Sequence, residues 1–201
     1  MRYDELIAIT TSLKETSKDP SHPDTYMTEL EYEVINFDKV KDKYLRELTP
    51  CPCAIPLSND ALIKKDNEWI FIEFKNGVIT NRENGEIKMK LFESILMFLD
   101  VINKTIEYSR SHVTYILVFN EQELNHSGVS SRFNKNEYLE YNQIPSMGSP
   151  SFAEIISNLD ELAGNLGRAQ FDLERYEKYI FKHVYTVPKY KFDYFISRYF
   201  E

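Results

Sequence analysis

The chain has 201 residues, 42% of them hydrophobic and 28% charged, which suits one globular domain with a sizeable core. Its formal charge of −8 argues against a broad electrostatic grip on nucleic acid. No apolar run reaches the roughly 18 residues of a membrane span, and the acid-bearing start MRYDELIAITTSLKE lacks the apolar core of a secretion signal. No membrane association and a cytoplasmic location are therefore expected. From Arg168 onward seven Lys/Arg stand against five Asp/Glu among many tyrosines, a mildly basic end that is expected to be a solvated surface.

Residues 3–16 read as a helix, with Leu6, Ile7, Ile9 and Leu13 on one side. Two prolines and polar residues mark 17–24 as a loop. Within 28–48, LEYEVINF alternates like a strand and DKVKDKYLREL is helical in character. Pro50, Pro52 and Pro56 then break the chain around Cys51 and Cys53. The one-residue spacing is poor for a disulfide, and no further ligands stand at zinc spacing, so two reduced and mostly buried thiols are expected.

The segments LSNDALIKK and WIFIEFKNG flank a two-residue turn at Asp66-Asn67 and read as a hairpin. After the polar stretch TNRENGE, a long helix is expected at about 86–106, with Ile87, Leu91, Ile95, Phe98, Ile102 and Ile106 as its buried stripe. Ser109 to Ser111 form a polar break, and VTYILVF (113–119) reads as a strand covered on both faces. Residues 120–150 look like loops, 151–166 like a helix capped by Ser151, HVYTV like a strand, and the end like a helix starting at Pro188. Strand, strand, long helix, strand gives an α/β layer structure.

The two-residue turn sets the hairpin register. It pairs Lys65 with Glu68, Lys64 with Trp69, Leu62 with Phe71 and Asp60 with Glu73. Alternation then puts Asp60, Leu62, Lys64, Trp69, Phe71, Glu73 and Lys75 on one face. The other face, with Ala61, Ile63, Ile70, Ile72 and Phe74, is plainly a core face. Two half-sheltered carboxylates at that spacing repel unless a cation intervenes. A hard divalent ion takes such oxygens and keeps several waters, and a neighbouring Lys75 would hold or help deprotonate a water aimed at a phosphate. Glu-x-Lys on a strand is equally a common surface ion pair. The other outlying residues carry less. His112 and His126 have no nucleophile geometry around them, and the aromatic residues of 171–200 have core spacing.

SNDALI with Asp60, and WIFIEFKNG with Glu73-Phe74-Lys75, followed by the helix EIKMKLFESILMFLDVI and the strand VTYILVF, resemble the PD-(D/E)xK nuclease superfamily over residues 57–119. The resemblance implies a restriction-endonuclease-like fold, an α/β core with a central mixed β-sheet flanked by helices. It implies Mg²⁺-dependent (or Mn²⁺-dependent) hydrolysis of nucleic-acid phosphodiesters, with Asp60, Glu73 and the backbone carbonyl of Phe74 as metal ligands and Lys75 as the catalytic lysine. Asn59 stands where the motif's name has proline. Members often add an acid from an early helix, for which Glu29, Glu31 and Glu33 are the candidates here. They also add a polar residue from the helix after the lysine. Lys88, about 50° from the centre of the buried stripe on a wheel of about 100° per residue, is the candidate for that role, and a snorkelling lysine is the plainer reading.

The expectation is one domain over 1–201, with a nuclease-like core at about 28–119 and a C-terminal elaboration at about 120–201. The expected activity is metal-dependent nucleic-acid cleavage, in host defence or nucleic-acid processing, with a homodimer as a candidate assembly. The alternative is a catalytically inactive protein of the same fold acting as a binding or regulatory module.

Overall fold

The computed structural model describes residues 1–126 and 171–200. The helix expected at 151–166, and most of the loops expected at 120–150, lie outside those residues. Six strands form one sheet in the order β1-β2-β3-β4-β5-β6: β1 Thr10–Ser12, β2 Glu33–Asn36, β3 Ala61–Lys65, β4 Glu68–Lys75, β5 Val113–Phe119 and β6 His183–Pro188. The first four pair antiparallel, and β4, β5 and β6 run parallel. The helices are α1 Tyr3–Ile7, α2 Leu13–Thr16, α3 Phe37–Glu47, α4 Asn81–Val101, α5 Ile106–His112 and α6 Lys189–Phe200. The architecture is therefore α/β, a mixed sheet flanked by helices. No helix among the described residues is long and apolar enough to cross a membrane.

The hairpin has the register expected from its turn. Lys65 pairs with Glu68, Lys64 with Trp69, Leu62 with Phe71 and Ala61 with Ile72, and Asp66 takes the tight corner at φ 53°. Both faces are core. Leu62, Trp69 and Phe71 pack with Leu91, Ile95 and Phe98 of α4. Ala61, Ile63, Ile70 and Ile72 pack with Phe192, Phe195 and Ile196 of α6. All seven residues of β5 are buried, as its unbroken run of apolar and β-branched residues requires.

Four expectations are corrected. The helix expected over 3–16 is interrupted by β1, where Thr10, Thr11 and Ser12 pair with Ile35, Val34 and Glu33; two successive threonines are weak helix formers that fit a sheet edge. The polar stretch at 80–86 belongs to the long helix rather than preceding it. Thr80 is its N-cap, its hydroxyl accepting from the N–H groups of Arg82 at 3.3 Å and Glu83 at 3.5 Å. That helix stops at Val101, where Asn103 turns the chain at φ 52°, and the presumed polar break near Ser109 lies in α5. Cys51 and Cys53 are free thiols but exposed, because the proline-broken segment carrying them runs over the surface. Thr80→Ala is expected to cost about 1 kcal/mol in a urea unfolding curve by orphaning two helix N–H groups; an unchanged midpoint would rule out a working cap.

Candidate functional site

The site lies at the carboxyl end of β4, where β3 is shorter than its partner. The Asp60 N–H still donates to the Ile72 carbonyl at 3.2 Å. One step further, the Phe74 N–H has no strand partner on that side and donates to Oδ2 of Asp60 at 2.6 Å. The aspartate side chain thus replaces the missing backbone acceptor, which fixes its position. A strand residue turns its N–H and C=O to the same neighbour, so the Phe74 carbonyl leaves β4 on the Asp60 side as well. Its ring goes through to the other face and packs edge-on against Phe192 at 5.3 Å.

Glu73 follows on the α4 face and is only 2% exposed. Its Oε1 lies 2.6 Å from Nζ of Lys90, and that nitrogen is 3.7 Å from Oδ1 of Asp60. Oε2 of Glu73 is buried and, among the described residues, has no hydrogen-bond partner. Burial pushes the Asp60 carboxyl up to about 6, with Lys90 and the Phe74 N–H opposing and Asp38 adding to the rise. Burial, and then the charge of Asp60, raises Glu73 well above the usual carboxylate range against the pull of Lys90. Burial by itself would lower Lys90, but the charges of Glu73 and Asp60 outweigh it and raise it. The two acids titrate as one unit. Beneath them the Tyr115 hydroxyl is fully buried and pushed up by burial and by the same two charges.

Asp60, Glu73, Phe74 and Lys75 line one cavity of about 480 Å³, together with Lys90. Lys75 is half-buried and makes no ion pair among the described residues; the ammonium between the acids belongs to Lys90 instead. Lys88 does not line the cavity and pairs with Asp172 at 3.7 Å. The helical wheel explains the difference. Lys88 lies nearer the centre of the buried stripe, whereas Lys90 lies about 100° away on its other side, in line with Glu83 and Ser94. That flank faces the ends of β3 and β4, where Oγ of Ser94 accepts the Asn59 N–H at 2.8 Å. The pairing of side with strand end is tertiary information, so angular distance alone selects Lys88, which does not line the cavity.

The early-helix acid at the cavity is Asp38, in the first turn of α3. Its Oδ1 accepts from the Ser58 hydroxyl and lies 3.4 Å from Nζ of Lys41. Glu29, Glu31 and Glu33 do not line the cavity, and Glu29 pairs with Lys14 at 2.7 Å. The available signal was Asn36, a capping residue at the end of β2; its side chain accepts from the Lys39 N–H at 3.0 Å and places Asp38 beside the next strand's start. His112 is structural, its Nδ1 being 3.1 Å from the Tyr108 carbonyl and its ring stacked on Tyr108. The side chain of His126 lies outside the described residues.

The arrangement offers hard oxygen donors suited to Mg²⁺ or Mn²⁺: both carboxylates, the buried Oε2 of Glu73 being without a partner among the described residues, and the Phe74 carbonyl. Among the described residues no group of three His, Cys, Asp or Glu forms a metal cage by itself, so such an ion would complete its shell with the carbonyl and water. The cavity wall carries seven carboxylates against the three lysines 18, 75 and 90, so a polyanion meets net negative charge there unless cations are added. No protein-family model matches this chain, and neither a curated protein nor a solved structure does.

Proposed function

We propose that this chain is a metal-dependent phosphodiesterase acting on nucleic acid, a PD-(D/E)xK-type nuclease of restriction-endonuclease-like fold. Asp60, Glu73 and the Phe74 carbonyl would hold Mg²⁺ or Mn²⁺. The observation that carries this reading is the buried, unpartnered Oε2 of Glu73 next to Asp60, because a desolvated carboxylate oxygen without a donor is costly unless a cation meets it. The antiparallel hairpin, long helix and parallel strand that frame the site fit the same reading.

The bound ion supplies positive charge toward the phosphate oxygens and acidifies water. Asp60 is held by the Phe74 N–H, so its free oxygen has a fixed direction. Lys75, lining the cavity with no ion pair of its own among the described residues, would hold the attacking water and stabilise the hydroxide left when the water's proton passes to solvent. The apolar strands below exclude bulk solvent from Glu73, which strengthens each charge interaction.

Lys75→Ala is expected to lower Mn²⁺-dependent cleavage by about 10²–10⁴-fold while leaving Mn²⁺ binding, read by calorimetry, within about twofold. Single- and double-stranded DNA and RNA are the substrates to screen. Failure of the wild type to cut any of them with either ion would remove the activity. The acidic cavity wall favours one other reading in that event, a catalytically inactive module of the same fold that binds a cationic ligand.

A further inference from the structure

Resting on the metal reading above, the geometry points to a role for Lys90 that the cleavage scheme does not use: we propose that its ammonium is a built-in counter-ion that holds the metal position and must be displaced before a divalent ion can bind. Its Nζ lies 2.6 Å from Oε1 of Glu73 and 3.7 Å from Oδ1 of Asp60, so one nitrogen bridges the two carboxylates. An Mg²⁺ ion shared by the two acids would use the unpartnered Oε2 of Glu73 and, since Oδ2 of Asp60 takes the Phe74 N–H, Oδ1 of Asp60 at about 2.1 Å, which puts it within roughly 5.8 Å of that nitrogen whatever its direction. Two cations at that separation, in a site with a 2% exposed carboxylate, repel strongly. The ammonium and the metal therefore compete for the same two carboxylates.

The displaced side chain has somewhere to go. Lys90 is 28% exposed and projects from a flank of α4 that also carries Glu86 one turn earlier, and both residues line the cavity. A glutamate and a lysine at i, i+4 are natural partners on a helix; Glu86 already pairs with Arg82 at 3.0 Å through Oε1, so Lys90 would share that carboxylate. Lys90 then has two carboxylate settings, one between Asp60 and Glu73 and one with Glu86, and the divalent ion selects the second. The same movement swings a positive charge toward the open cavity, whose wall is otherwise rich in acids. Metal binding and readiness for an anionic substrate are thereby coupled through one side chain. Lys75 does not compete in this way, since it makes no ion pair with either acid.

The test is calorimetric titration of the metal-free protein with Mn²⁺, on wild type, Lys90→Met, Lys90→Gln and Asp60→Asn. Both Lys90 variants are expected to bind one Mn²⁺ at least about tenfold tighter than wild type, because no ammonium has to leave. They are also expected to gain more than wild type in melting temperature on adding Mn²⁺. Binding by Lys90→Gln but not by wild type would support the same conclusion. Lys90→Gln retains the polar end and serves if Lys90→Met fails to fold. Equal or weaker binding in the Lys90 variants, with wild type binding, would overturn the counter-ion role and leave the metal site standing. No heat in any protein, or heat that survives Asp60→Asn undiminished, would overturn the metal reading itself.

Discussion

Asp60→Asn is expected to abolish metal-dependent cleavage, by about 10³-fold or more, and at the same time to make the metal-free protein more stable at pH 8. The first effect follows from the proposed metal reading, in which Asp60 supplies one of two carboxylate ligands. The second follows from burial. The carboxyl of Asp60 is raised from 3.8 to about 6 in the fold, so the folded state holds its proton to higher pH than the unfolded chain does. Between those values the native state binds more protons, and stability falls as pH rises. The penalty is absent below about 4 and fully present above about 6. At about 1.4 kcal/mol per unit the shift corresponds to something on the order of 3 kcal/mol, shared with Glu73 because the two titrate together. An asparagine keeps an oxygen for the Phe74 N–H and carries no charge, and Lys90 retains Glu73. Chemical unfolding in the presence of a chelator, at pH 4 and pH 8, separates the effects. The variant should gain stability at pH 8 and little at pH 4. A variant less stable than wild type at pH 8 would show that Asp60 is net stabilising and that the site stores no electrostatic cost.

Phe98→Ala is expected to remove about 3–5 kcal/mol of folding stability. Phe98 is fully buried, and its ring lies 4.9 Å from Trp69 and 5.5 Å from Phe71, edge to face with the latter. It is where α4 is pressed onto β4. Truncation loses the apolar burial and both ring contacts and leaves a void that the sheet is too stiff to fill. Set against a typical total of about 5–15 kcal/mol for a domain, the loss is large enough to read directly from a urea midpoint. Because α4 also carries Lys90, this contact helps to set the distance between the ammonium and the acids. A loss below about 1 kcal/mol would mean that α4 is not anchored through Phe98.

That Asp60 and Glu73 come to one cavity was legible in the sequence for a local reason, although the strand ladder itself ends one pair short, at Ala61 and Ile72. A two-residue turn leaves one register, and the side-chain period of two then assigns every position of both strands to a face. Strand β5 was equally legible, since a bounded run of seven residues is short for a helix and its β-branched and aromatic side chains favour a strand buried on both sides. The final helix, with Phe192, Phe195 and Ile196 inward, followed from its spacing. Less legible were the boundaries. Thr80 moves the start of α4 back into a stretch that reads as loop, because a cap satisfies backbone groups that composition does not reveal.

By itself the sequence determined the α/β class, the hairpin register and therefore the juxtaposition of two acids, one just before β3 and one near the end of β4. These depend on contacts a few residues apart. Only the tertiary structure decided which cation and which third acid meet that pair. Lys90 rather than Lys88, and Asp38 rather than Glu29, Glu31 or Glu33, reach the cavity because of how α4 and α3 are rotated against the sheet. That rotation is set by many apolar contacts packed at once across the two cores, and a helical stripe records its own centre but not which of its two flanks will face the strand ends.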